Sequence, residues 1–412
     1  MSVLPLYETG QPFYVPAFEV KLAGARELNL QGPVSPLDRD VVKDALEVTY
    51  QDSLDRIDSF TLVFNNWDAD ARVPAFRGQP AKPGSPPRNL FDLVRPGSQL
   101  QLLMGYQGPQ PDLRVMTTGV ITTLEADYPE AGAPRLTVRG LNALDSFRGK
   151  QYTWAWPKDP KGTITDSQIA KDLAGQPDTP PGRPGLGIEV RVNDQAAAAE
   201  APQTYVMMNN QYPIVFLMNR ARRNGYELFL TRDPKKGKDD KPKQFLYFGP
   251  SKRIADRTYK LERGKSLVSF KPTISLARQV KKVTVLGWDR KAKKPIKAEA
   301  TLADVKDVNP ELHPFIESIG REEVVSDQPV DTEAHAKVVA QRYLEAQVLD
   351  MVEATGVVVG LPDLRAGRSI EIAGFDDLLN GRWFIKETTH TINESGYRTT
   401  FVARRENKGL LG

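Results

Sequence analysis

The segment IKETTHTINESGYRTTFV, residues 385–402, aligns without a gap with ITTLEADYPEAGAPRLTV, residues 121–138. Each segment consists of two partly alternating runs separated by a turn that contains glycine, which is the pattern of a β-hairpin. Four residues are identical between the two copies: Ile121 and Ile385, Glu130 and Glu394, Gly132 and Gly396, Val138 and Val402. The same hairpin is therefore predicted at two distant places in the chain.

The similarity continues upstream of each hairpin. RPGSQLQLLMGY, residues 95–106, has the same order of arginine, glycine and alternating apolar residues as RAGRSIEIAGF, residues 365–375. Residues 100–102 match residues 370–372 as apolar, polar, apolar, and a glycine-aromatic pair follows in both copies once one gap is allowed. An internal repeat of this kind predicts two related β domains.

The second copy also concentrates polar residues in GRSIEIAGFDDLLNGRWFIKETTH, residues 367–390. The side chains that could form a catalytic pocket there are Glu371, Asp376, Asp377, Glu387 and His390. Alternation instead places Ile370 and Ile372 together on one face of a strand. The Asn380-Gly381 pair is a strong hairpin-turn signal.

The repeat also argues against catalysis by this hairpin. His390 aligns with Ala126 and Glu387 aligns with Thr123, so only one of the two copies could be active. We therefore expect a β-hairpin whose polar residues face water.

The composition is that of an ordinary globular protein. The chain has 412 residues and a formal net charge of +4 with scattered basic residues, which predicts no nucleic-acid specificity. The absence of cysteine excludes disulfides and thiolate chemistry. The sequence has no signal-peptide pattern and no apolar run of about 20 residues, so we expect synthesis in the cytoplasm and no membrane insertion.

The sequence predicts a mainly β, β-rich α+β fold of three domains. Residues 1–149 are expected to form a first tube-like β-barrel, with an extended N-terminal arm at residues 1–16 that could pair with another chain. Residues 150–259 are expected to form a mixed α/β insertion, and residues 260–412 a second tube-like β-barrel. A very polar connector at residues 231–243 is predicted to be a solvated hairpin tip, with nucleic-acid contact as the weaker alternative.

Three helices are predicted. Thr165 and Gln168 have the spacing of a capping box at the start of the first. The second begins at Pro213 and ends at a Gly225 cap, with an apolar stripe of Ile214, Leu217, Met218 and Ala221. The third begins near Asp331 and is expected to bury Ala336, Val339, Ala340 and Tyr343.

The residues that carry most enzyme chemistry are absent or badly spaced. His313 in a loop, His335 in a first helical turn and His390 have no metal-ligand spacing, and no nucleophile elbow or phosphate loop occurs. The carboxylate pairs Asp239-Asp240 and Glu322-Glu323 lie in very polar surroundings, and Trp154, Trp156 and Trp288 are expected in core or interface positions. No catalytic, cofactor-binding or metal-binding residue is predicted.

In five stretches, taken in order, the chain resembles the late control protein D (gpD-like) baseplate hubs of contractile phage tails and related injection systems. This family is akin to the T-even phage hub and to the N-terminal part of VgrG. The stretches are TTGVITTLEADYPEAGAPRLTVRGLNAL (117–144), TITDSQIAKDLAG (163–175), YVMMNNQYPIVFLMNRARRNGYELFL (205–230), SFKPTISLARQVKKVTVLGWD (269–289) and LPDLRAGRSIEIAGFDDLLNGRWFIKETTHTINESGYRTTF (361–401).

The resemblance implies a structural, non-enzymatic adapter. Three copies, each with two tube-like barrels, would form a ring of six similar units that matches a sixfold tube on one face and a threefold spike on the other. The implied partners are two further copies, an inner tail-tube protein, a spike protein and other baseplate components, within an assembled phage tail or injection particle that could be released extracellularly. VgrG-type chains continue into a spike, whereas this sequence stops at Gly412, so the spike is expected to be a separate polypeptide.

Three alternatives remain open from the sequence. A cell-wall polysaccharide-cleaving enzyme would need a carboxylate pair in a concave pocket. A carbohydrate-binding module would need solvent-facing tryptophans aligned on one sheet. A hexameric tail-tube or distal tail protein would assemble from six copies instead of three.

Overall fold

The computed structural model describes residues 3–5, 15–23, 35–36, 44–53, 56–68, 73–74, 96–107, 112–159, 162–177, 182–200, 202–223, 226–236, 242–250, 258–277, 279–289, 292–305, 313–326, 330, 332–349, 351–366 and 368–405. Within these ranges the protein is mainly β, which confirms the predicted fold class. None of the helices in the described ranges has the length and apolar content needed to cross a bilayer.

The described residues of the N-terminal part form ten strands and a final 3₁₀ turn. The strands are β1 Val3–Pro5, β2 Val15–Ala23, β3 Ser35–Pro36, β4 Ala45–Ser53, β5 Ser59–Asn65, β6 Trp67–Asp68, β7 Val73–Pro74, β8 Gln99–Gln107, β9 Asp112–Asp127 and β10 Arg135–Asn142. The 3₁₀ turn is Ala143–Phe147.

Helices and short strands alternate in the middle of the chain. These elements are β11 Tyr152–Trp156, α1 Asp166–Leu173, β12 Val190–Val192, α2 Asp194–Ala199, β13 Val206–Gln211, α3 Pro213–Arg223, β14 Tyr226–Lys236 and β15 Pro242–Pro250.

Strands dominate again in the C-terminal part. Its elements are β16 Thr258–Glu262, β17 Leu267–Ile274, β18 Lys282–Asp289, β19 Lys294–Thr301, a 3₁₀ turn Leu302–Asp304, α4 His313–Ile319, β20 Glu322–Val325, α5 Glu333–Leu349, β21 Val352–Val359, β22 Ser369–Ala373, β23 Gly381–Asn393 and β24 Gly396–Arg405.

The first unit is the antiparallel run of strands in the order β4-β5-β10-β9-β8-β2. Its strands alternate as their sequences predict, and the inward residues Phe60, Leu62 and Phe64 of β5 are almost fully buried. Gly140 of β10 lies under the Phe60 ring, where an added Cβ would be 2.2 Å from the ring carbon Cζ. Glycine is required at that position because the aromatic ring occupies the space of a side chain.

The second unit repeats this order as β17-β21-β24-β23-β22-β16. The pairings are antiparallel except that β16 joins β22 in parallel. The N-terminal strand Val3–Pro5 pairs in parallel with β16 of the same chain. Residues 3–5 therefore find a partner within their own chain, whereas residues 6–14 of the predicted arm lie outside the described residues, and pairing of the arm with another chain stays a prediction.

The two units each have a β-bulge, and the two bulges lie at the same position when residues 121–138 are aligned with residues 385–402. The β9–β10 pairing skips Thr122, and the β23–β24 pairing skips Lys386, so each long strand carries a β-bulge at the aligned position. The turn glycines Gly132 and Gly396 both have positive φ, +112° and +103°. The structure therefore supports the repeat predicted from the sequence.

The ungapped alignment is wrong after the turn. Val138 is fully buried, whereas Val402 is only half-buried and Phe401 takes the inward position beside it. The strand pairing shows that the turn of the first hairpin is one residue longer than that of the second. Asp127 pairs with Arg135, whereas Thr391, which aligns with Asp127, pairs with Arg398, a residue that aligns with position 134. A one-residue shift in a strand exchanges its two faces.

The middle elements confirm two of the helix predictions. Thr165 Oγ1 accepts from the N–H of Gln168 at 3.3 Å, and the N–H of Thr165 donates to Gln168 Oε1 at 2.9 Å, which completes the capping box of α1. Helix α3 begins at Pro213 and buries Ile214, Leu217 and Ala221 of the predicted stripe, with Met218 half-buried. The predicted Gly225 cap lies outside the described residues. The middle part of the chain has a separate hydrophobic core, which lies between α1, α3 and β15.

The polar connector is shorter than predicted. Strand β14 continues to Lys236, which pairs with Pro242 of β15, so most of residues 231–243 belong to the two strands. Charged residues are compatible with strands here because the hairpin extends its own ladder of backbone hydrogen bonds. Residues 237–241, including Asp239 and Asp240, lie outside the described residues.

A three-stranded sheet, in the order β19-β18-β20, packs against α5 beside the second unit. Residues 269–289, which resembled the start of a second barrel, are therefore divided between two sheets. Their first part belongs to β17 in the large sheet and their last part to β18 in the three-stranded sheet. Helix α5 begins at Glu333, close to the predicted Asp331, and buries Ala336 and Ala340. His313 is the first residue of α4 instead of a loop residue, since the following proline fits the first turn of a helix.

Candidate functional site

The two units meet in a direct strand pairing within one chain, which we call the seam. Residues Glu47–Ser53 of β4 pair antiparallel with Glu387–Asn393 of β23. Strand β4 pairs with β5 on its other edge, so the sheets of both units become one continuous sheet. Ile392 and Tyr397 of the second unit pack in the hydrophobic core of the first.

The bulge at Lys386 turns polar side chains of β23 into this seam. Upstream of the bulge the inward residues are Trp383 and Ile385, and downstream they are Thr388 and His390. The extra residue changes which positions face the core. His390 is therefore 0% exposed, and the expectation that the polar residues of the hairpin face water is wrong for this residue.

Four groups surround the imidazole of His390. The Nε2 atom lies 2.9 Å from the carbonyl oxygen of Leu364, and Nδ1 lies 3.0 Å from the hydroxyl of Tyr397. Hydroxyls of Thr388 and Thr399 complete the surroundings at 3.2 and 3.1 Å. Because a carbonyl oxygen can only accept, Nε2 carries the proton and Nδ1 accepts from Tyr397.

Burial keeps this histidine neutral. Desolvation, reinforced by the charge of Arg365, lowers the pKa of His390 well below its ordinary value. A neutral imidazole with both nitrogens hydrogen-bonded needs no counter-ion, so the ring acts as a polar spacer between the two units.

Arg365 is the charged centre of the seam. It lies in the loop between β21 and β22, its Nε is 3.5 Å from Asp52 Oδ2, and its guanidinium carbon lies 4.5 Å from the centre of the Tyr50 ring. One of its terminal nitrogens donates to the carbonyl oxygen of Met116 at 2.5 Å. A residue of the second unit thus contacts two strands of the first.

Asp52 also receives hydrogen bonds from the second unit. The hydroxyl of Thr388 and the N–H of Ala366, at 3.3 Å, both donate to its Oδ1. Asp52 and Arg365 are each only 5% exposed. A buried ion pair adds little net stability compared with apolar packing, but one left without its partner is costly, so the pair favours a single arrangement of the units.

A second carboxylate, Asp58, lies behind Tyr50. It accepts from the Tyr50 hydroxyl at 2.9 Å and from Asn142 Nδ2 at 3.1 Å. The residue as a whole is half-buried, but its carboxyl group is surrounded by protein atoms. Desolvation, together with the negative charge of Asp52, raises the pKa of Asp58 to about 6.

The loop at residues 360–366 adds contacts across the seam. Tyr106 of β8 donates from its hydroxyl to the carbonyl oxygen of Gly360 at 2.8 Å, and Arg114 of β9 pairs with Asp363 at 2.9 Å. Tyr106 and Tyr397 also lie with their ring centres 5.5 Å apart. The seam is thus fixed by backbone pairing, by a buried polar cluster and by this loop.

Most other residues considered from the sequence lie apart from this cluster. Asp376 and Asp377 are exposed in the turn between β22 and β23, where Asp376 accepts from the N–H of Leu379 at 3.0 Å. Glu387 pairs with the exposed Arg56 at 2.6 Å, across the outer side of the seam. Glu371 is half-buried on β22.

Glu322 and Glu323 do not form a catalytic pair. Glu322 pairs with Lys282 at 2.9 Å, and Glu323 accepts from the Tyr343 hydroxyl at 2.7 Å. The side chains of His313 and His335 are outside what the structure describes. In the described part of the chain no cluster of His, Asp and Glu is arranged to hold a metal ion.

The tryptophans are divided between different sheets. Trp156 of β11 is buried and stacks on Phe216 with ring centres 5.6 Å apart, and Trp154 is half-buried on the same strand. Trp288 of β18 is 54% exposed. These three residues do not line up on one sheet, which a carbohydrate-binding face would require.

Sequence reasoning missed the acidic and basic members of the seam. Alternation along β4 places Asp52 on the same inward face as Val48 and Tyr50. A charged residue at a position where alternation predicts an apolar one was the signal available for it. Arg365 was noted only as part of the repeat. Its aligned residue, Arg95, lies outside the described residues.

Comparison with solved structures shows which fold this is. The 43 kDa tail protein of prophage MuSo2 from Shewanella oneidensis is 16% identical, with a TM-score of 0.59, over 94% of this chain and 98% of that one. The tail protein from Neisseria meningitidis MC58 is 13% identical, with a TM-score of 0.61, over 95% and 97%. Prophage tail protein gp18 from Listeria monocytogenes EGD-e is 15% identical, with a TM-score of 0.52, over 95% and 96%.

Sequence comparison adds less. A family model described as the Alg8 N-terminal domain, Alg8_N, matches residues 241–394, which is under half of the chain. The match begins next to β15 and stops at the turn between β23 and β24, so it covers no complete unit. No curated protein matches the chain. Over nearly its full length, the chain has the fold of phage tail proteins.

Proposed function

We propose that the protein is a structural baseplate hub of a contractile tail or injection system. Three copies form a ring of six similar β units, which joins an inner tail tube to a spike. The observation that carries the proposal is the seam: two units of the same strand order are held side by side in one continuous sheet within one chain. Repeating that relation generates a closed ring when each unit is rotated from the last by one sixth of a turn about the axis.

The buried cluster supports a mechanical role. The side chains of Asp52, Arg365 and His390 are enclosed, so a substrate cannot reach them, and their hydrogen bonds fix the angle between the two units. A ring that must match another assembly on each face depends on that angle. The similarity to phage tail proteins supports the same conclusion at the level of the fold.

We also propose the division into domains 1–149, 150–259 and 260–412. Three separate buried cores support it. There are exceptions at the boundaries, since Leu144 belongs to the middle core and Tyr259 to the last one. Ile392 and Tyr397 belong to the first core although they lie in the last segment, because the seam brings them there.

The mass of the assembly tests the proposal. Light scattering of the purified chain should give about three times 45.9 kDa, and in complex with a spike protein this mass plus that of the spike. A mass of six chains would favour the hexameric tail-tube or distal tail protein. A monomer under both conditions would refute the hub. Turnover of cell-wall polysaccharide that is lost in a single Asp or Glu variant would favour the enzyme instead.

A further inference from the structure

The seam covers an edge in the second unit whose counterpart in the first unit is not covered by any residue that the structure describes. In the second unit, the N–H of Ile385 donates to the carbonyl oxygen of Arg368 at 2.8 Å, and β4 then pairs from Glu387 onward. In the first unit, the N–H of Ile121 makes the matching bond to Ser98 at 2.9 Å. Beyond Ile121, no described residue pairs with that edge of β9, and Thr123–Asp127 are largely exposed.

A second open edge belongs to β17. This strand stands first in the order of the second unit, as β4 stands first in the order of the first unit. The outer edge of β4 pairs with β23, whereas β17, apart from an isolated bridge between its first residue Leu267 and Arg263, pairs among the described residues only with β21. Val268 and Ile274 of β17 are 59% and 48% exposed.

The hydrogen-bonded rows across the two sheets show which residues of β4 and β17 correspond. One row runs across the first unit through Tyr50, Phe60, Gly140 and Ile121. The equivalent row runs across the second unit through Pro272, Ala354, Ala403 and Ile385. Both rows end at aligned isoleucines, so Pro272 occupies in β17 the place of Tyr50 in β4.

We propose that β17 of one copy pairs antiparallel with the free edge of β9 in the next copy, repeating the seam between chains. Tyr50 pairs with His390 in the seam, and His390 aligns with Ala126, so Pro272 lies opposite Ala126 in this joint. The inference rests on the proposed trimer, in which three seams within chains alternate with three joints between chains.

The register obtained in this way brings complementary side chains together. On the face that is continuous with the two cores, Leu124 lies opposite Ile274, and Tyr128, 58% exposed, lies opposite Phe270. On the other face, the exposed Asp127 lies opposite the exposed Lys271. Apolar, aromatic and opposite-charge pairs of this kind stabilise antiparallel strands, and the register places no like charges directly opposite each other.

Pro272 shows that the joint is weaker than the seam. The N–H of Ser275 donates to Met351 beside β21, so alternation turns the backbone groups of Pro272 toward the open edge. Proline has no N–H, so the joint lacks one hydrogen bond that Tyr50 can make in the seam, although the carbonyl of Pro272 can still accept. A proline facing the outer edge also limits uncontrolled pairing of that edge before assembly.

Cysteine crosslinking tests the register directly because the natural chain has no cysteine. Glu125 and Thr273 lie opposite each other in the joint, at a pair where the strands do not exchange hydrogen bonds. The Cα atoms of such a pair are about 4.5 Å apart, which permits a disulfide. The variant with Glu125→Cys and Thr273→Cys should form covalent dimers and trimers, and nothing larger, on mild oxidation.

The matched control combines Glu125→Cys with Ile274→Cys. Position 274 lies on the opposite face of β17, so this variant should form no crosslink, and neither should either single variant. The charge pair gives a second test at exposed positions. Asp127→Lys or Lys271→Asp alone should weaken trimer formation by about 2- to 5-fold at each joint, and the two together should restore it.

The outcomes separate this inference from the proposed function. A trimer by light scattering, in which the variant with Glu125→Cys and Thr273→Cys gives no crosslink, overturns the strand joint and leaves the hub proposal standing. Crosslinked products larger than three chains support the joint but overturn the three-copy ring. A chain that stays monomeric and uncrosslinked overturns both.

Discussion

Replacing Arg365 with methionine tests whether the buried cluster holds the two units together. The change keeps most of the side-chain volume but removes the guanidinium group that contacts Asp52, Met116 and Tyr50. Asp52 is then left buried without its cation, and breaking a buried ion pair costs about 3–5 kcal/mol. Because about 1.4 kcal/mol is a factor of ten, the seam should open at least about 100-fold more often.

Amide hydrogen exchange followed by mass spectrometry measures that opening segment by segment. Residues 47–53 and 387–393 should lose protection in Arg365→Met, whereas helices α1 and α3 of the middle unit should keep theirs. Arg56→Met is the matched control. Arg56 pairs with Glu387 across the same seam, but its side chain is 70% exposed, so its loss should change exchange by less than about fivefold.

The double variant with Asp52→Asn and Arg365→Met should recover much of the lost protection because no charge is left stranded. Normal exchange at the seam in Arg365→Met would refute the reasoning. The reasoning would also be refuted if the loss of protection in the double variant equalled the sum of the losses in the two single variants, since residues in one buried pair are expected to be strongly coupled.

Three further predictions concern pH, packing and capping. The folded pKa of Asp58, about 6, lies above its ordinary value, so its contribution to stability falls as the pH rises from about 4 to 6, by up to about 3 kcal/mol. Neutral His390 has the opposite effect, since its lowered pKa costs stability as the pH falls below about 6.5. Unfolding curves from pH 4 to 8 should therefore lose the first slope in Asp58→Asn and the second in His390→Gln; an unchanged slope in either variant counts against its assignment. Gly356→Ala places a Cβ 2.2 Å from the Phe401 ring and should lower the free energy of unfolding by about 1–3 kcal/mol, whereas Gly149→Ala, with open space around it, should not; equal melting temperatures would contradict the packing. Thr165→Ala removes the cap of α1 and should cost about 1 kcal/mol, seen as faster exchange in α1 with an unchanged seam; a loss at the seam as well would show that the units are coupled.

Local patterns in the sequence predicted local structure well. The capping box at Thr165 and the proline at position 213 each depend on residues within one or two turns of chain, whereas the Asn380-Gly381 pair lies at the end of the β22–β23 loop, where Gly381 begins β23. The hydrogen bonds of a capping box form between near neighbours, so the spacing of a few residues is sufficient information. The repeat extended this to the order of the strands, because two similar segments fold into similar hairpins.

The seam could not be predicted in the same way. Strands β4 and β23 pair across more than 300 residues of chain, and no local spacing specifies that register. The burial of His390 depends on the bulge at Lys386, which reverses the alternation that the sequence shows upstream. Likewise, the extra residue in the first hairpin turn moved Val138 and Val402 to different faces, although the two letters match.

The covalent link between the two units has a consequence for the kinetics of closing a ring. Six separate subunits would have to meet in five successive encounters, and each encounter costs translational and rotational entropy of about 4–15 kcal/mol at a standard concentration. Three double subunits need only two encounters, because β4 and β23 find each other during the folding of a single polypeptide. If the protein forms the proposed hub, its ring can therefore be completed at a much lower protein concentration.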